Sequence, residues 1–251
     1  MTFVRECMIV FRRQVRVNLR NPAWVFIGVM QPVLYLVLFG PLLKPLVRQF
    51  GADNAYTFLV PGLLVQLGMF GAFFAGFGLI GEWREGVVEA ERVTPASRTA
   101  LLVGRLIRDV AQLFVQAVIL VLLGTAMGMR ASFGGIVVGV LLTLLVGGAC
   151  AAASNALALT TKSEDVMAPV INTVMMPVLL LSGILLPMTI GPGWLQRVSD
   201  FMPFRWIVDS VRDTFVGDLA TNHVLWGTTW ALVLFGLALW WGTAVFRKEN
   251  A

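Results

Sequence analysis

Residues 131–161 read ASFGGIVVGVLLTLLVGGACAAASNALALTT, a stretch of thirty-one residues with no Asp, Glu, Lys or Arg. About 20 apolar residues in a helix cross a hydrocarbon layer roughly 30 Å thick, so this run is longer than one crossing requires. Inside such a layer no water receives the peptide N–H and C=O groups, and they must pair within the segment. A barrel strand would instead show about 10 residues of alternating polarity, which is absent here. Working outward, Ala23–Leu43, Tyr56–Gly81, Val110–Met129, Val166–Gln196 and Leu219–Phe246 are uncharged windows of the same kind. The fold class that follows is an all-α integral membrane protein with six transmembrane helices. The spans are placed at 23–43, 57–81, 106–129, 135–161, 166–188 and 222–246, in a single transmembrane domain covering 1–251. Composition agrees: 58% of residues are hydrophobic and 13% charged, against roughly 45–50% and about 25% in soluble domains.

The formal charge of +5 raises nucleic acid as a partner, but membrane topology accounts for the basic residues. With the N-terminus cytoplasmic, thirteen of the nineteen Lys and Arg fall on the inner side and six on the outer, as the positive-inside rule requires. An even number of spans then places both termini in the cytoplasm, in a multi-pass protein of the cell inner (plasma) membrane. The first apolar run follows about twenty polar-rich residues and is too long for a signal-peptide core, so it is expected to be retained as a span. Cys7 and Cys150 fall where neither compartment nor position favours a bridge.

Residues 2–20 have helical periodicity. At about 100° per residue, Arg5, Arg12, Arg13, Arg16 and Arg20 share one arc, and Phe3, Val4, Val10, Phe11, Val15 and Val17 cover the other side. The spacing predicts an amphipathic interfacial helix, with membrane lipid as its partner. Anionic headgroups would attract its basic face by about 1 kcal/mol per residue. Near the other end, Pro187, Gly191-Pro192-Gly193 and Pro203 interrupt the apolar pattern, and residues 189–218 are expected to form an extracellular re-entrant region before the sixth span. Small residues recur at helical spacing: Gly68, Ala72 and Gly76 in one window, then Gly135 and Gly139, and Gly147 and Gly148 against Ala151 and Ala152. Such faces let helix backbones touch in lipid, within one subunit or between two.

The most polar internal stretch is 82–98, EWREGVVEAERVTPASR. Its charges have helical spacing and it contains a Trp, then a Thr94-Pro95 stop and a fresh basic start at Ser97-Arg98. The stretch resembles the cytoplasmic motif of the type-2 ABC exporter permeases, in which Glu-Arg-x-x-Gly-Thr-Leu-Glu is followed by Thr-Pro and Ser-Arg. Glu82, Arg84, Glu85, Gly86, Glu89, Thr94-Pro95 and Ser97-Arg98 match, while Val87, Val88 and Ala90 depart. Leu181-Ser182-Gly183, Pro187, Trp194-Leu195 and Pro203-Phe204 ahead of Asp209 and Arg212 also look like that family, in its small-permease branch of daunorubicin-resistance type. The resemblance implies a cytoplasmic coupling segment at 82–98, in which Glu82, Arg84, Glu85, Gly86, Glu89 and Arg92 meet an ATPase. It implies two copies of a cytoplasmic ABC ATPase subunit that bind ATP and Mg, and a second permease copy or a sister permease. The cargo it implies is an amphiphilic drug, a lipid or a lipid-linked molecule.

The residues agree on what the chain lacks. No Gly-x-x-x-x-Gly-Lys-Ser/Thr occurs, so no P-loop cradles a nucleotide, and no cofactor is expected in this chain. No catalytic set stands out, and His223 has no second His or carboxylate at metal-ligand spacing. Arg105, Arg108, Asp109, Gln112 and Gln116 follow one side of the third span, with an Arg105–Asp109 pair expected at i,i+4. They read either as polar lining at the inner gate of a pathway or as snorkelling charges with interhelical hydrogen bonds. Gln66, Asn155 and Asn172 sit deeper, and the sequence does not say whether they line a route or join helices. The competing function is an ion-gradient-driven secondary transporter, which calls for an ionisable group deep in a span and often an inverted repeat.

Overall fold

The computed structural model describes residues 7–13, 15, 23–50, 53–88 and 98–248. Residues 7–13 are helical (α1) and rest on the third long helix, where a Cβ added to Gly104 would come within 2.8 Å of Val10; the remainder of the expected 2–20 helix, apart from Val15, lies outside the described residues. Then follow α2 (Ala23–Leu43), α3 (Ala55–Phe73), α4 (Ala75–Arg84), α5 (Arg98–Ala126), α6 (Phe133–Thr161), α7 (Glu164–Leu181), α8 (Gly193–Asp200), α9 (Pro203–Val216) and α10 (Asn222–Lys248). Short 3-10 turns occupy Val47–Phe50 and Met188–Ile190, and no strand occurs among the described residues. Among the described residues six helical lengths are long and apolar enough to cross a membrane: α2, α3 with α4 taken together, α5, α6, α7 and α10.

The chain builds its interior around α6, which packs on α10, α3, α9, α4 and α5. In the apolar window of α6 61% of residues are buried, against 17% in α7 and α10, which puts α6 at the centre and those two at the periphery. Ser132 opens α6 by accepting from the Gly135 N–H at 3.0 Å, and Lys162 closes it in a left-handed turn (φ 51°) with its N–H on Ala158 O. The small-residue faces explain how close the neighbours come. Gly68 faces the Thr143 backbone, Gly76 faces Ser154 and Met167, and Gly139 faces Phe215. A Cβ on Gly135 would stand 1.7 Å from the Thr214 carbonyl oxygen. These faces pack helices of one and the same chain.

Three helices depart from simple spans. The second breaks at Phe74 into α3 and α4, and Ser154 of α6 closes the break: its hydroxyl donates to Phe73 O and accepts from Gly76 N–H at 3.1 Å. The third starts at Arg98, about three turns before the uncharged window that opens at Val110, so Arg105, Arg108 and Asp109 lie inside the helix. The fifth stops at Leu181, where Ser182 donates to Val178 O and Gly183 takes a positive φ of 71°, a conformation that favours glycine.

Residues 193–216 form a helical pair rather than an open loop. The inner side of α9 is mainly apolar, with Ile207, Val208, Val211 and Phe215, and the small polar Ser210 and Thr214, buried against α6, α10 and α3. At the same end, Asn54 caps α3 by accepting from Tyr56 N–H at 2.8 Å and donates to Gly128 O at 2.8 Å.

Candidate functional site

The end of α4 carries the first half of the site. The Glu85 N–H reaches back to Gly81 O at 3.0 Å and the Gly86 N–H to Trp83 O at 3.1 Å, with Gly86 at φ 75°. Glycine at 86 is therefore what allows the chain to leave the helix there. This turn leaves Glu85 exposed and points Glu82 toward α5.

The second half is on α5. Arg105, only 2% exposed, donates from Nη2 to Glu82 Oε2 at 2.7 Å and from Nε at 3.2 Å. Its carboxylate thus comes from the last turn of α4 and not from Asp109 one turn along. Arg108 takes Asp109 Oδ1, at 2.6 Å from Nη2 and 2.8 Å from Nε, and stands 3.8 Å from Glu82 Oε1. A charge-assisted fork of this kind is the form in which a guanidinium tolerates burial.

Residues that the sequence divides into a coupling group and a lining group thereby meet: Glu82 joins Arg105, Arg108 and Asp109 in one cluster. Arg84 goes elsewhere, to Glu164 at the start of α7 at 3.0 Å, with both side chains substantially exposed. Glu89 and Arg92 lie outside the described residues. Above the cluster is a cavity of about 470 Å³ between α3, α4 and α5, bordered by Phe74, Phe77, Arg108, Asp109, Gln112 and Gln116 among others. Gln116 also abuts α2, since a Cβ on Gly28 would meet its Nε2 at 2.3 Å. Asp109 Oδ2 is buried without a hydrogen-bond partner, as are both amide atoms of Gln66 and the Nδ2 of Asn155.

At the opposite end Arg212 does more than pair locally with Asp209. It donates from Nη2 to Gly183 O at 2.7 Å and Ile184 O at 3.0 Å, and its guanidinium lies 4.0 Å from the Phe58 ring centroid. It thus joins α9, α3 and the turn after α7. Only the charge of Arg212 is visible in the sequence; the carbonyls it binds are set by the turn at Gly183. His223 acquires the carboxylate it lacks along the chain, with Nδ1 3.0 Å from Asp213 Oδ2. No group of three or more potential metal ligands occurs among the described residues.

A bundle with six helical lengths able to span a membrane among the described residues, the end of the second tied to the third by a buried ion-pair cluster, defines a multi-pass membrane protein. Residues 5–216 match the ABC-2 type transporter family, and the chain belongs to that family. Its members are the membrane permease components of ABC transporters, which work with an ABC ATPase. Among similar proteins is ycf38 of Cyanophora paradoxa, whose name is that of a transport permease. It is 27% identical over 214 residues, covering 84% of this chain and 74% of the relative. DrrC of Mycobacterium tuberculosis, whose name is that of a doxorubicin resistance ABC transporter permease, is 21% identical over 230 residues, or 91% of this chain and 83% of DrrC. YbhR of Escherichia coli, named for a multidrug ABC transporter permease, is 23% identical over 198 residues, which cover 76% of this chain and 52% of YbhR.

Proposed function

We propose that the chain is the permease subunit of an ABC exporter, moving an amphiphilic drug, a lipid or a lipid-linked molecule out of the cytoplasm with ATP hydrolysed by a separate subunit. The observation that carries the reading is the Glu82–Arg105 pair. It ties the last turn of α4, from which 82–98 runs on, to the interior of α5, so a force applied at 82–98 is passed from the end of one span to the next through a short, desolvated ionic contact. The exposed Glu85, with Glu89 further along the chain, supplies acidic contacts for the ATPase. Charges of this kind chiefly set partner choice and docking rate. Two ATPase copies below a permease pair, both termini in the cytoplasm, a coupling segment at 82–98 and a re-entrant 189–218 complete the assembly. The names of DrrC and YbhR support drugs as the cargo class.

The test is a charge reversal. Glu85→Lys with Glu89→Lys is expected to abolish cargo-stimulated ATP hydrolysis in the reconstituted complex while membrane insertion stays normal. Hydrolysis coupled as in the unmodified complex would overturn the assignment. The second reading, an ion-gradient-driven secondary transporter, draws on one feature: Asp109 is an ionisable group inside a helix long enough to span.

A further inference from the structure

The fifth span, α7, lies at the edge of the bundle and turns two unlike sides outward and inward. Its buried residues, Met167, Met175 and Val178, share one side. On the other, Pro169, Asn172, Thr173, Met176 and Leu180 are all exposed, and at about 100° per residue they fall within one arc of about 100°. Asn172 and Thr173 are the two middle residues of Glu164–Leu181. They therefore sit at the depth where hydrocarbon offers a polar group no partner.

Neither side chain finds a partner inside the subunit: among the described residues the Asn172 amide and the Thr173 hydroxyl make no hydrogen bond. The backbone adds to the deficit, because Pro177 has no N–H to give the Thr173 carbonyl one turn before it. Two other exposed polar residues of the spans are served within their own helices. Thr229 on α10 donates to Leu225 O at 2.8 Å, and Gln31 on α2 reaches Tyr35 Oη at 3.5 Å. Polar side chains at mid-membrane face protein and not lipid, so the outer side of α7 calls for a second protein surface that carries both a donor and an acceptor.

We infer that two copies of this chain meet on this face, α7 against α7 about a two-fold axis, with Asn172 of each copy donating from Nδ2 to Oδ1 of the same residue in the other. A carboxamide carries a donor and an acceptor side by side, so identical copies satisfy each other, as an isologous interface requires. Met176 and Leu180, one and two turns along, supply apolar packing around the pair, and Thr173 stands at its edge. Gln31 lies as many residues into α2 as Asn172 lies into α7, which makes α2 against α7 the rival arrangement. That rival is disfavoured because Gln31 already has Tyr35. The inference rests on the permease reading, which pairs two permeases, and names the surface through which they pair.

The interface is tested on the full chain in membranes, without ATPase or cargo, by disulfide trapping with copper phenanthroline. Met176→Cys keeps the amide and places a thiol one turn along the same face; it is expected to give a covalent dimer. The wild type, whose Cys7 and Cys150 are buried, and Leu232→Cys on the exposed side of α10 are expected to stay monomeric. Self-association in liposomes is then read by energy transfer between copies carrying donor and acceptor fluorescent proteins. Asn172→Leu is expected to weaken it about tenfold, the scale of a reciprocal pair of intramembrane hydrogen bonds, and Asn172→Gln to retain most of it. No dimer from Met176→Cys, or an equal yield from Leu232→Cys, overturns the interface. So does a disulfide between Gln31→Cys on one copy and Asn172→Cys on another where Met176→Cys gives none, since α2 then occupies the face. Wild-type association in Asn172→Leu overturns the amide pair, and where that variant fails to insert, the Met176→Cys result decides alone. Failure of the interface leaves the exporter assignment standing, because no ATPase takes part, and failure of the charge-reversal test at Glu85 and Glu89 leaves the interface standing.

Discussion

Arg105 is a full positive charge with 2% of its surface exposed, and it is tolerated there because Glu82 meets it in a fork. Removing one partner of such a pair leaves the other charged and desolvated, at a cost of about 3–5 kcal/mol. Arg105→Met is therefore expected to lower the melting temperature of the detergent-solubilised chain sharply. Arg105→Lys keeps the charge but loses the second hydrogen bond, and it should fall between. In the double variant Arg105→Met with Glu82→Gln both charges are gone, and most of the loss should be recovered. Melting of Arg105→Met at the wild-type temperature would mean that the pair contributes nothing to stability. The partner itself is not legible along the chain. Helical spacing offers Arg105 the nearby Asp109, whereas Glu82, twenty-three positions away, reaches it from the last turn of a different helix, α4. Spacing rules see contacts along one helix and are blind to those between two.

At the scale of elements, the small-residue faces are legible and their partners are not. Gly135 and Gly139 announce a close approach, but that α9 makes it follows from the apolar inner face of Ile207, Val211 and Phe215, which must be buried somewhere. The adjacent pair Gly134 and Gly135 separates the two roles that glycine can have in a helix. At Gly134 an added Cβ meets nothing within 4 Å, and at Gly135 it would stand 1.7 Å from a backbone oxygen of α9 that has no rotamer by which to move aside. Gly134→Ala is expected to be neutral or to stabilise by up to about 1 kcal/mol through helix propensity. Gly135→Ala must push α6 from α9 and is expected to cost at least about 1–3 kcal/mol, the usual range for overpacking. Thermal melting and purification yield of the two single variants read the difference directly. Equal melting temperatures would show that α9 yields easily to the added carbon. The positions where a span breaks escape the sequence for a similar reason. Phe74 is as apolar as its neighbours, and only Ser154 on another helix satisfies the carbonyl and N–H that the break exposes.

At the scale of the whole molecule, the burial pattern bears on where the energy for transport enters. The six spans could be counted from uncharged windows alone because lipid imposes one rule on every residue of a crossing. How those spans move has no such local signature. The buried charges on α5 meet Glu82 in the last turn of α4, so the helix end from which the polar segment departs is in direct ionic contact with the interior of the next span. A gradient-driven carrier built on Asp109 would need that carboxylate to load and release an ion alternately, yet Oδ1 is held by two hydrogen bonds from Arg108, a standing counter-charge that competes with any cation delivered to it. Proteoliposomes containing only this polypeptide are accordingly expected to show no uphill accumulation of the exported drug or lipid under an imposed proton or sodium gradient, whichever way the protein is inserted. Adding the cognate ATPase with ATP and Mg should start accumulation, and Arg105→Lys, if it inserts normally, should slow it by loosening the contact through which the push arrives. Accumulation driven by either gradient in the absence of the ATPase would transfer the energy input to Asp109 and end the permease-subunit reading.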